Sequence, residues 1–368
     1  MAEIRKTLTI DLLSFRTRPG TGNTRLNTIP KNTEIEYIPI QTLSANGYNW
    51  VPVYYINQWG WCATSWLEAF QTKFIRTKWA GIHTIGNLTD NARHLITECK
   101  RLGKPVSAVL SVLDAGCLQW TKTVSPETKT ILRIVWPDGY PLDNGRVKFK
   151  QRWFDDLVGP IMPFLSSIDF LQFINEKWPG NKAYGEAIQD IMYFYIDLMS
   201  ACDRIGTHCT VLDLPPGNMA DDRNAGEPDQ FKMMLPMLKI AAAKGHALNY
   251  HMYNCFDSPY DPTYNQDSTS MRWLYWLQQI PGLKFIGGEA LVGEWKDPSG
   301  QEAYLPDAGT TVKMIKTIDG MIEKAIQEGK ISREQIIGYL PFTSNPGERW
   351  KNFNMEIVLP AQLQYLIS

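Results

Sequence analysis

The sequence predicts a two-part chain: a small all-β barrel followed by an α/β (β/α)8 TIM barrel. Three observations predict it. From about residue 81, eight apolar runs alternate with helical patterns. Most of these runs are uninterrupted, as expected for strands covered on both faces. Before residue 70 the texture differs, with short alternating strands separated by turn signals. The reading gives a small barrel over 1–70, a connector over 71–80 and the larger barrel over 81–368.

In the first part, Thr7–Ile10 alternates and Arg18–Gly22 carries a Pro/Gly turn. Thr33–Ile38 alternates again, with Ile35 and Tyr37 on one face and Glu34 and Glu36 on the other. Trp50–Tyr55 follows the tight-turn dipeptide Asn46-Gly47. Trp50, Trp61 and Trp66 are expected in the core of this unit.

In the second part, the candidate strands are Gly81–Ile85, Val106–Val112, Thr130–Val135, Ile168–Asn175, His208–Leu214, Ala247–Tyr253, Leu283–Ile286 and Ile336–Pro341. Helical patterns fill several of the gaps. Asn91–Leu102 is one, and Lys182–Arg204 is the longest, stopped by Gly206. Asp229–Lys244, Ser268–Gln279 and Thr310–Gln327 are the others. An open doubly wound sheet is the competing architecture, but no Gly-x-Gly-x-x-Gly turn follows the first strand.

Composition narrows the function classes. The chain has 368 residues, 44% apolar and 20% charged, with a net charge of -1, so nothing recommends nucleic acid or an anionic membrane surface as a partner. No apolar run is long enough to span a bilayer. The first residues, Met1–Lys6, lack the apolar stretch of a secretion signal. The six cysteines form no Cys-x-x-Cys pair and read as buried thiols, with disulfides left open. No zinc spacing links them to the five histidines, so neither a metal nor a cofactor is expected.

In a barrel of this kind the chemistry sits where strands end and βα loops begin. Those ends include His83, Asp114, Trp136-Pro-Asp138, Asn175-Glu176, Asp213, His251-Met-Tyr253, Glu289 and Phe342–Asn345. Glu176 and Glu289 are the notable pair. More than a hundred residues separate them, yet a closed barrel brings two strand ends to one mouth. Two facing carboxyls are what glycosidic bond cleavage needs.

Two resemblances add to this. Leu13–Gly20, Ile29–Glu36, Gly47–Trp50 and Gly60–Leu67 together resemble the bacterial Src-homology-three (SH3)-like domain. That resemblance implies a non-catalytic module, often attached to enzymes acting on cell walls or polysaccharides, and so action outside the cell or at its envelope. The second part resembles the clan A glycoside hydrolases, which are retaining (β/α)8 enzymes. Phe173-Ile-Asn-Glu176 resembles their fourth-strand Asn-Glu, Tyr250-His-Met-Tyr253 their sixth-strand His-x-Tyr, and Ile286-Gly-Gly-Glu289 their seventh-strand nucleophile. In the strand count above, these fall on strands four, six and seven.

The resemblance implies Glu176 as acid/base, protonated at rest because ionised Glu289 repels its charge, and Glu289 as nucleophile. It implies a carbohydrate substrate. Asn175 is placed to bond the sugar 2-hydroxyl, Tyr253 to keep Glu289 ionised, and His251 to contact sugar or to order Glu176. His83 stands at the end of strand one among the substrate-binding candidates. Trp136, Trp178 and Trp295 are candidate sugar platforms, and Asp138 and Asp114 candidate partners for sugar hydroxyls. Three departures are visible. No arginine stands at the end of strand two, no tryptophan follows strand eight in Leu340–Thr343, and Gly288 replaces the Thr that many members carry. Glu294 is the alternative carboxylate to Glu289. A binding barrel that no longer cuts glycan and a wall-acting muramidase or lysin remain as alternatives.

Overall fold

In the computed structural model, the eight apolar runs of the second part form eight parallel strands that pair in their order along the chain. The structure describes all residues except 1–4, 10, 39–40, 68–76, 135–138, 181, 216–217, 225, 253–271, 291–306 and 345–353. The chain divides into two units, Met1–Ile75 and Arg76–Ser368.

The first unit is antiparallel. Its strands are β1 (Arg5–Leu8), β2 (Leu13–Arg16), β3 (Arg25–Ile29), β4 (Glu34–Tyr37), β5 (Leu43–Ala45), β6 (Tyr48–Tyr55) and β7 (Gln58–Ala63). They pair in the order β1-β4-β6-β7-β2-β3, with β5 on β6. Every second side chain of β2 and β4 turns inward, so Leu13, Phe15, Ile35 and Tyr37 meet Val51, Val53 and Cys62 in one core. Of the three tryptophans expected there, Trp50 is buried, while Trp61 and Trp66 are half-buried. Trp66 packs at the core's edge, its ring 5.4 Å from that of Tyr48.

The second unit is the (β/α)8 barrel. Its strands are β8 (Ile82–Ile85), β9 (Ala108–Val112), β10 (Lys129–Arg133), then a hairpin of β11 (Leu142–Asp143) and β12 (Arg146–Val147), then β13 (Phe170–Gln172), β14 (His208–Leu214), β15 (Ala247–Met252), β16 (Lys284–Ala290) and β17 (Ile336–Pro341). The ring closes between last and first: the Gly81 amide donates to Tyr339 (2.7 Å), Tyr339 to Trp79 (3.0 Å) and Ser344 to His83 (2.8 Å).

Strand alternation divides the side chains into two layers. Ala108, Leu110, Ile131, Phe170, Ala247 and Ile286 fill the inside of the barrel. Val109, Leu132, Leu171, Leu248 and Phe285 point outward into the larger layer beneath the helices. Two residues further along, the inward positions of β10, β13 and β15 turn polar, as Arg133, Gln172 and Asn249.

The helices Asp90–Arg101, Gln230–Lys244, Arg272–Gln279 and Ala308–Gln327 stand where the periodicity puts them, within a few residues. Glu186–Arg204 starts four residues later than expected, because Gly185 at φ +64° precedes it. The sequence reading omits Ala115–Val124, Gln151–Val158 and Leu359–Ile367. The first of these gives Asp114 a structural role. Its carboxylate caps that helix, accepting from the amides of Gly116 (2.9 Å) and Cys117 (3.2 Å), a role typical of Asp at an N-cap. The five cysteines among the described residues are buried free thiols.

Candidate active site

Polar side chains from five successive strands of the sheet, or from the residues just beyond them, meet at the C-terminal mouth. Arg133 ends β10, Gln172 ends β13, Asp213 lies near the end of β14, His251 in β15 and Glu289 in β16. Glu176 lies four residues beyond β13, at φ +52°, its amide donating to the Asp213 carbonyl (3.1 Å).

The strands are irregular where these residues sit. The β14–β15 pairing slips between Val211 and Leu214, with Leu212 at φ +74° and Asp213 at φ +25°. The β15–β16 pairing slips between Tyr250 and Met252, and the β16–β17 pairing between Gly287 and Ala290. These slips bracket Asp213, His251 and Glu289. A bulge re-aims a side chain that regular alternation would point elsewhere, and bulges gather next to active sites for that reason.

His251 is the hub. Its ring is fully buried, with Nδ1 2.7 Å from Glu176 Oε1 and Nε2 3.0 Å from Asp213 Oδ1. Nδ1 is also 3.8 Å from Glu289 Oε2. Burial opposes charge on the ring, but Glu289, Asp213 and Glu176 outweigh it and raise its pKa to about 10. Asp213 also accepts from Gln172 Nε2.

Glu289 is almost wholly buried and forms an ion pair with Arg133 Nη1. Burial pushes its pKa up, but His251 and Arg133 hold it below the usual carboxylate range. Glu176 is more open, with 32% of its side chain exposed. One oxygen of Glu176, one of Glu289 and a His251 nitrogen all lie within 4.8 Å of one another. Such a cluster of donors is also what a cation cage requires. Here Glu289 faces Arg133 and Glu176 faces His251, so the chain itself supplies the positive charge.

The other candidates are placed as follows. His83 is fully buried, Nδ1 2.8 Å from Thr343 Oγ1 and its ring against Phe342. Burial and then Arg133 push its pKa down to about 3, which keeps it neutral. Asn175 is half-buried, next to Glu176. Trp178 is half-buried against the outer core, its indole donating to Gln230 Oε1 (3.2 Å). Trp136, Asp138, Tyr253 and Trp295 lie outside the described residues, as does Glu294.

Arg133, the contact of Asp213 with His251 and that of Gln172 with Asp213 are absent from the sequence reading. The available signal was a charge inside an apolar strand. A charge covered on both faces needs a partner, and Arg133 and Asp213 are the charged residues of two such runs. The departure at position 288 has a physical reason. A Cβ there would lie 2.3 Å from Asn249 Oδ1 on the neighbouring strand.

No family model and no curated protein matches the chain. The solved structures it resembles include clan A glycoside hydrolases. One is the endo-β-mannanase/endo-β-glucanase of Prevotella bryantii, at 12% identity over 78% of this chain and 48% of that one, TM-score 0.42. The chain therefore spans about half the length of that protein. A broad-specificity endoglucanase from an uncultured bacterium matches at 12% identity over 79% of this chain and 95% of that one, TM-score 0.44. A probable 3-DHS dehydratase of Bacillus anthracis matches at 8% over 78% and 99%, also with a TM-score of 0.44. At such scores these likenesses do not bear on activity.

Proposed function

We propose that the barrel is a glycoside hydrolase that retains anomeric configuration, with Glu289 as nucleophile and Glu176 as acid/base. One observation carries this: the two glutamates bring carboxylate oxygens within 4.8 Å of each other at the strand ends. Double displacement places its carboxyls about 5–5.5 Å apart, whereas inversion needs about 6.5–9.5 Å to admit a water.

The two environments suit two roles. Glu289, buried and held ionised by Arg133 and His251, attacks the anomeric carbon. A carbon–oxygen bond to Glu289 forms as the bond to the leaving oxygen breaks. The Glu176–His251 pair gives that oxygen its proton. Water then enters, Glu176 takes its proton, and the bond to Glu289 breaks. Asn175 is read as the partner of the sugar 2-hydroxyl. The antiparallel first unit is read as the non-catalytic, SH3-like companion module.

The test is hydrolysis of a panel of aryl glycosides and polysaccharides by the wild type and by Glu289→Ala and Glu176→Gln. Turnover by the wild type that folded Glu289→Ala loses on every substrate, and that folded Glu176→Gln loses most on substrates with poor leaving groups, supports the assignment. A folded wild-type chain that binds glycan but cuts nothing would identify a binding barrel instead.

A further inference from the structure

We propose that Asp213 is a positioning residue: through His251 it decides where the acid/base proton rests and at what pH that proton is lost. The assignment rests on the glycosidase reading above and deepens it.

The geometry is a linear relay. Asp213 Oδ1, His251 Nε2, His251 Nδ1 and Glu176 Oε1 follow one another with contacts of 3.0 and 2.7 Å. A neutral imidazole has one N–H, so it can donate to only one of these carboxylates. To satisfy both contacts, either the ring carries two protons or a carboxyl carries one. Asp213 is fixed as the acceptor. It is 1% exposed, takes a second hydrogen bond from Gln172 and is aimed inward by a backbone at φ +25°. Among the described residues, the charged groups facing the ring are Asp213 from β14, Glu176 beyond β13 and Glu289 from β16, with Arg133 of β10 behind Glu289 and the neutral ring of His83 from β8 also within its field. Three carboxylates around one buried ring place the resting proton on Nδ1. This resting place differs from the expectation from sequence, in which Glu176 holds its own proton.

The proton balance closes over a cycle. As the glycosidic oxygen leaves, Glu176 gives it a proton and takes the Nδ1 proton of His251. The ring becomes neutral and keeps its Nε2–H, which donates to Asp213. When water attacks, its proton returns through Glu176 to Nδ1.

Nitrogen NMR of the full-length chain tests this, and only five histidines need assignment. In the wild type at neutral pH, both His251 nitrogens are expected to be protonated. In Asp213→Asn, the ring should lose a proton at lower pH, and the alkaline limb of kcat/KM should move down by about 1–2 pH units. A neutral His251 in the wild type at neutral pH overturns the proposal without any variant. So does a folded Asp213→Asn chain with both readouts unchanged. A doubly protonated ring in a chain that cleaves no glycoside would support the Asp213 relay while removing the glycosidase reading.

Discussion

Arg133 and Glu289 lie 156 residues apart in sequence and meet as a buried ion pair at the barrel mouth. Each is less than one-tenth exposed, so neither charge has much water to solvate it. Breaking a buried pair by removing one partner typically costs about 3–5 kcal/mol. Arg133→Met should cost that much in a urea unfolding curve. It should also move the acid limb of kcat/KM to higher pH, because Glu289 loses a cation that holds its pKa down. A stable variant with an unmoved acid limb would show that Arg133 does not tune Glu289.

Gly288 and Asn249 form a steric pair across β15 and β16. Gly288→Ala places a methyl 2.3 Å from the Asn249 amide oxygen, in an interior with little slack. The expected destabilisation is about 1–3 kcal/mol. Adding Asn249→Ala should recover most of it, which a double-mutant cycle measures. Additive costs would contradict the contact.

The charge on His251 contributes to stability in a definite pH window. Its folded pKa, about 10, lies above the unfolded value of about 6.5. The contribution is therefore fully present below about pH 6.5 and is lost as pH rises through about 10. The stability gap between wild type and His251→Gln should shrink over that range. A gap that stays constant would place the ring's pKa elsewhere.

Removal of the acid/base should be graded by leaving group. Glu176→Gln should slow substrates with poor leaving groups by about 10²–10⁴-fold and activated aryl glycosides by less. The comparison of kcat/KM across leaving groups checks this. Equal slowing for all of them would deny Glu176 the role of proton donor.

Much of this architecture was legible in the sequence. Uninterrupted apolar runs such as Val106–Val112 and His208–Leu214 read as strands because a parallel sheet buries both faces. Glu289 and His251 were legible as polar residues ending such runs. The helix Ala115–Val124 was not, because its capping residue Asp114 has the same side chain as a sugar-binding loop acid. The Arg133 pairing and the Asp213–His251 contact were also hidden. Both depend on which strands become neighbours and on bulges that turn a side chain inward, and neither is a local property of the chain.

The identity of the nucleophile is the point on which most depends. A deoxyfluoro glycoside that accumulates the covalent intermediate, followed by peptide mass spectrometry, reads it directly. The expected result is one sugar mass on the peptide carrying Glu289, absent from Glu289→Gln. Label on a different carboxylate would contradict the account.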